Sequence, residues 1–250
     1  MSDQDTETEG SDWGGPSALA AVLLATIALV AVWLVWPTGD DGQGSAAATT
    51  TTTEPERPAQ RETSGGDGSD EYGCPVDRRT DDRIPSDGPK VEWSIYRGLA
   101  VPSSDVHGPM VVEGSVARCY SHTPAGALIA SIQIGTRYVV APDGVAVVRE
   151  QTVPGKGQRA LMEALEERGP VEVESGDVCQ VAGFRFVVYS PDRAVIARAS
   201  RCPGDVLQLT EVAVEWRDGD WKVVLDENGS ESATTSTLTD LSGMTPWSGV

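Results

Sequence analysis

Apolar and polar positions divide the chain into segments of different character. From Ser17 to Trp36 the sequence SALAAVLLATIALVAVWLVW is almost wholly apolar, and no charge occurs between Asp12 and Asp40. Twenty helical residues rise about 30 Å, the thickness of a bilayer's hydrocarbon core, so this stretch is predicted to be a membrane-spanning helix. From Pro37 to Tyr72 hydrophobic periodicity is absent. Beyond Cys74 helical periodicity comes first and strand periodicity second.

Within that last region, VEWSIY and LAVP read as short strands among Pro and Gly breaks. A first helix is predicted from Thr123 and Pro124 through AGALIASIQIGTRY, because Thr suits the N-cap and Pro the first helical position. Leu128 and Ile132 fall on one stripe, and Gly126, Ala127, Ala130 and Ser131 allow close approach to a sheet. A second short helix follows Pro142 through VAVVREQTV. A third spans GQRALMEALEERG, with Leu161 and Leu165 on one face, Glu163, Glu166 and Glu167 toward water, and Gly169-Pro170 as its stop.

The period then changes. VEVES alternates, GFRFVVYS and RAVIARASR flank a Ser190-Pro191-Asp192 turn, and VLQLTEVAVEW leads through Arg217-Asp218-Gly219-Asp220 into WKVVLD. Asp218-Gly219 is a strong hairpin signal. Val212, Val214 and Trp216 share one parity and Leu207 and Leu209 the other, which predicts a bulge near Thr210. Helices grouped before strands imply an α+β layer, with about three helices on an antiparallel sheet.

The residues before the apolar stretch, MSDQDTETEGSDWGGP, contain five acids and no Lys or Arg, unlike the basic start of a cleaved signal. Trp13 lies on one side of the stretch, with Trp33 and Trp36 at the other end, as in interfacial belts. These features give a retained single-pass anchor. Flanking charge does not orient it: the first basic residue is Arg57, and the acidic tail would itself favour an outside N-terminus. The reading adopted is residues 1–16 as a cytoplasmic tail, 17–36 as the span, 37–72 as a disordered Thr/Pro/Gly/acidic linker and 73–250 as an extracytoplasmic domain, its tail 229–250 partly ordered. The linker would span roughly 30 to 36 Å as a flexible coil.

Composition narrows the function. The formal charge of −19 argues against nucleic-acid binding and against adhesion to anionic lipid. The four cysteines, at 74, 119, 179 and 202, form no CxxC pair, and there are only two histidines, so no metal site is expected. An even cysteine count beyond an anchor reads as two disulfides in an oxidising compartment, and it is this that favours the outside placement. The competing reading is four buried, reduced thiols.

Helices followed by a sheet ending in AVEWRDGDWKVV resemble the nuclear-transport-factor-2-like (cystatin-like α+β) cone, in which a curved antiparallel sheet wraps the long first helix. ARCYSHTPAGALIASIQI, VAGFRFVVYSPDRAVI and LSGMTPWSG resemble, more narrowly, an actinobacterial membrane-protein domain of uncharacterised function. Such domains are similar to extracytoplasmic domains of conjugation and type IV secretion scaffold proteins, although one cone is expected here where Gram-positive conjugation scaffolds have two. Four cysteines allow three connectivities. On the resembled fold, counting outward from the Ser190–Asp192 turn sets Cys179 nearly opposite Cys202, which leaves Cys74 for Cys119.

Candidate chemistry is sparse. His122, next to the helix cap, is assigned local hydrogen bonding, and His107 a solvated loop. Asp218 and Asp220 are assigned to turn chemistry. Tyr189 and Arg185 are placed on one strand face with no base nearby, and Ser103-Ser104-Asp105 is a lone triplet. GxSxG, HExxH, P-loop and GxGxxG patterns are absent. Trp216 and Trp221 are expected to fill a sheet core, and Trp247 to plug the mouth of the cone. The expectation is a non-enzymatic interaction or scaffold module of the cell envelope, without cofactor or metal, meeting other envelope proteins or itself. The alternative is a cone that binds a small apolar ligand.

Overall fold

The computed structural model describes residues 69–75, 81–169, 171, 173, 178–231 and 235–249. The expected span 17–36, nearly all of the linker and most of VEVES lie outside the described residues. Among the described residues no helix is long and apolar enough to cross a membrane. What is described is one α+β domain, with three helices packed on a mostly antiparallel sheet.

Two small hairpins come first, β1 (Glu92–Tyr96) with β2 (Leu99–Ser103) and β3 (Val111–Glu113) with β4 (Val116–Arg118). Helix α1 (Pro124–Val140) begins where Thr123 Oγ1 accepts the Gly126 N–H at 3.1 Å. Its apolar stripe is embedded so deeply that Ala127, Leu128, Ile129, Ala130 and Ile134 have no exposed surface. Asp143 caps α2 (Gly144–Gln151) through the Ala146 N–H, and α3 (Lys156–Arg168) stops at Gly169, whose φ of 70° is left-handed. Leu165 is buried while Glu163, Glu166 and Glu167 are exposed.

The main sheet runs β10 (Thr245–Pro246), β5 (Gln180–Ser190), β6 (Arg193–Cys202), β7 (Val206–Arg217), β8 (Asp220–Val224), with β9 (Thr235–Leu238) also on β7. The expected bulge near Thr210 is absent. β7 pairs with β6 without a register shift from Val206 to Glu215. The parity change is met by a change of partner on the other edge, since β8 pairs with Ala213–Arg217 and β9 with Leu207–Thr210, setting Leu238 opposite Leu207. The bulges lie instead in β5, between Val181 and Gly183 and between Phe186 and Val188. The second one corrects the placement of Arg185 and Tyr189 on one face, because they oppose Ala197 and Ala194, which alternate along β6. It keeps Phe184, Phe186 and Tyr189 together facing α1, with ring centroids 6.0 and 5.9 Å apart.

Between β8 and β9 the chain leaves the ladder, and there is space for this excursion only because α3 and α1 carry glycines. A Cβ on Gly157 would meet Asp226 O at 1.9 Å, and one on Gly135 would meet Glu231 Oε1 at 2.5 Å. From β9 to β10 the chain crosses to the opposite edge over the sheet face away from α1, where Met244 lies beside Gly183.

Both small hairpins are tied to the body by glutamine side chains. Gln180 Oε1 accepts the Ala100 N–H at 2.9 Å, and its Nε2 donates to Gly98 O at 3.1 Å. Gln151 Oε1 accepts the Ala117 N–H at 3.4 Å and its Nε2 donates to Ala117 O. In each case the side-chain amide takes the place of a neighbouring strand's peptide group. Gln133 adds a bond from Nε2 to Pro102 O at 2.9 Å, and Arg137 lies over the Tyr96 ring at 4.3 Å.

Candidate functional site

The residues of chemical interest converge on the segment Cys119–Thr123, which enters α1. Cys119 has a left-handed φ of 70°, which costs on the order of 1 kcal/mol in a non-glycine residue. The backbone there sends two successive N–H groups to one carboxylate: Cys119 N donates to Asp220 Oδ2 at 2.8 Å and Tyr120 N to Oδ1 at 2.9 Å. Trp221 N adds a third donor at 2.9 Å. Burial pushes Asp220 up to about 6, against the downward pull of those N–H groups and Lys222. Turn chemistry therefore does not account for Asp220, which joins the β7–β8 hairpin to the entry of α1. Asp218 and Gly219 do belong to the turn, with φ of 54° and 73° as a two-residue primed turn requires.

Disulfides bond Cys179 to Cys202, the pair expected from the strand count on the resembled fold, and Cys74 to Cys119, the pair left by exclusion. Arg118 Nη1 lies 3.4 Å from Cys119 Sγ and 3.8 Å from Cys74 Sγ.

Local hydrogen bonding does not describe His122, which reaches across the fold. Its Nε2 is 2.8 Å from Pro191 O and 3.3 Å from Asp192 Oδ1, and its ring stacks on Trp216 at 4.0 Å. His107 is half-buried and not a solvated loop residue. Its Nδ1 is 3.0 Å from Ser121 Oγ, which is 2.7 Å from Thr123 Oγ1. Ser121 and Thr123 are both buried, which sets this chain of polar groups inside the domain. In the lone triplet, Ser104 Oγ accepts the Val106 and His107 N–H groups as a loop cap, and Asp105 is exposed. A cleft of about 360 Å³ lies beside the segment, bounded among others by His122, Trp216, Met110 and the Cys74–Cys119 bridge.

Trp221 is fully buried and Trp216 half-buried. Trp247 is 8% exposed and packs on Phe184 and Trp93, with centroids 5.7 and 4.8 Å away. Its backbone N–H bonds Ala182 O, and its Nε1 donates to Pro89 O at 3.1 Å. A surface groove of about 580 Å³ lies beside it, lined by Val181, Cys202, Leu241 and Pro246 among others.

A second polar cluster lies between α1 and the sheet and has no signature in the sequence. Arg198 Nη2 pairs with Glu231 Oε2 at 2.5 Å, and Arg198 Nη1 donates to Ser131 O at 2.7 Å. Glu231 Oε1 is buried without a hydrogen bond among the described residues. Burial and the neighbouring Glu231 push Tyr138 well above the ordinary tyrosine range. Among the described residues no three His, Cys, Asp or Glu side chains group as metal ligands.

A family model described as a domain of unknown function (DUF8175) matches residues 53–246. No curated protein and no solved structure significantly matches the chain.

Proposed function

The chain belongs to this family of unknown function, and we propose that it is a membrane-anchored, extracytoplasmic interaction module of a cell-envelope assembly. The observation that carries the reading is Trp247, which packs against Phe184 and Trp93 inside the domain. An interior filled in this way leaves the surface to do the work. The two disulfides support an oxidising compartment, and the apolar run Ser17–Trp36 supports an anchor. The linker would then give the domain reach. A nuclear-transport-factor-2-like cone and a conjugative or secretory setting are part of the proposal, and they rest on the motif resemblance alone.

A small-ligand-binding domain is the second reading, favoured by the groove of about 580 Å³ beside Trp247. Protease shaving of intact cells, read with an antibody to the domain, tests the first. Loss of the domain signal is the expected result. Its survival would overturn the outside placement. In-cell crosslinking that recovers only free monomer would overturn the interaction role.

A further inference from the structure

We propose that Asn228 is a site of spontaneous deamidation and that its conversion loosens the hold of the loop after β8 on the interior. Asn228 is exposed, it is followed by Gly229, and its side-chain amide makes no hydrogen bond among the described residues. The missing Cβ at Gly229 removes the steric barrier that any other residue would raise to ring closure. In the reaction the Gly229 nitrogen gives up its proton to water and attacks Asn228 Cγ. The Cγ–Nδ2 bond breaks and ammonia leaves, giving a five-membered imide. Water then opens either imide carbonyl, to aspartate or to isoaspartate.

One carboxylate holds the turn that the reaction must open. Asp226 Oδ1 accepts the Asn228 and Ser230 N–H groups, both at 2.9 Å, and Gly229 N donates to Asp226 O at 3.0 Å. Chemistry at 228 is transmitted to the residues immediately C-terminal to it. Gly229 is left-handed at φ 85°, and a Cβ there would lie 2.9 Å from Leu161 N, so the backbone is pressed against α3. Two residues on, Glu231 makes its buried pair with Arg198. Isoaspartate lengthens the backbone by a methylene between these fixed points. Aspartate adds a charge beside Asp226 and Glu227.

The test ages the purified full chain in mildly alkaline buffer. Peptide mass reports ammonia replaced by water, enzymatic methylation reports isoaspartate, and hydrogen exchange is followed at Thr235–Leu238. The expected result is isoaspartate at 228, its absence in Asn228→Gln (whose ring would be six-membered), and severalfold faster exchange at Thr235–Leu238 in the converted fraction. Conversion in a peptide spanning Leu225–Glu231 but not in the folded chain would overturn the site, as would conversion in neither. Conversion without a change in exchange would overturn the link to the Glu231 pair.

Discussion

The indole of Trp221 donates to the main-chain oxygen of Ser121 at 2.9 Å, joining residues 100 positions apart in the fully buried interior. Ser121 O also accepts the Thr123 N–H at 2.8 Å, so it keeps a partner if the indole is removed. Trp221→Phe is therefore expected to cost only about 0.5–1.5 kcal/mol for the lost bond, plus a small packing loss. Trp221→Ala empties the site and is expected to cost about 3–5 kcal/mol. Urea unfolding, read as a midpoint shift at constant slope, checks both.

Gly126 sets two effects against each other. Alanine is preferred over glycine in a helix by about 1 kcal/mol. At this position the added Cβ would lie 2.0 Å from Ser121 O, which Trp221 and Thr123 hold in place. Overpacking costs typically about 1–3 kcal/mol, and more where the neighbour is fixed backbone, so the clash wins. Gly126→Ala is expected to lower the thermal midpoint.

Asp220 makes a pH-dependent contribution of unusual sign for a carboxylate. Its folded pKa is raised to about 6, above the unfolded value near 3.8. The contribution is thus fully present below the unfolded pKa and is lost as pH rises through about 6. Asp81 acts in the opposite sense. Its bonds from Arg83 hold it down at about 2, so its contribution is present above the unfolded pKa and lost as pH falls. Comparing unfolding free energies of wild type and Asp220→Asn between about pH 4 and 7 should show the variant losing less stability as pH rises. Parallel curves would refute the assignment.

For the Arg198–Glu231 pair, removing one member should cost more than removing both. Arg198→Met leaves a buried carboxylate without its cation, a loss of about 3–5 kcal/mol. Arg198→Met with Glu231→Leu should recover much of that loss, because no charge is left uncompensated. A double-mutant cycle in denaturant measures the coupling, and additive losses would contradict it.

Element type is legible where local signals agree. Thr123-Pro124 starts a helix and Gly169 ends one because capping is a local interaction, and Asp218-Gly219 marks a turn because left-handed backbone needs such residues. Parity alone misplaces the bulge because its alternation in β7 has two solutions, an inserted residue or a new neighbour, and only the sheet order separates them. Asp220 reads as a turn residue because its other partners, Cys119 and Tyr120, are a hundred residues away. Arg198 and Glu231 give no signal at all, since nothing in the residues around either one reveals a partner on another element. Asn228-Gly229 is readable as a dipeptide, and its consequence depends on the contacts of Gly229 and Glu231.

The glutamine bonds to the two small hairpins bear on how the domain opens. A ladder between strands breaks residue by residue along its length, whereas a side-chain amide can rotate away in one step. Gln180 and Gln151 each replace a ladder with side-chain amide bonds, and Gln133 and Arg137 add contacts to Pro102, Tyr96 and Ser115. Opening either hairpin would therefore break these side-chain contacts and uncover Ala100 and Val101 or Val116 and Ala117, while leaving the five strand pairings of the main sheet whole.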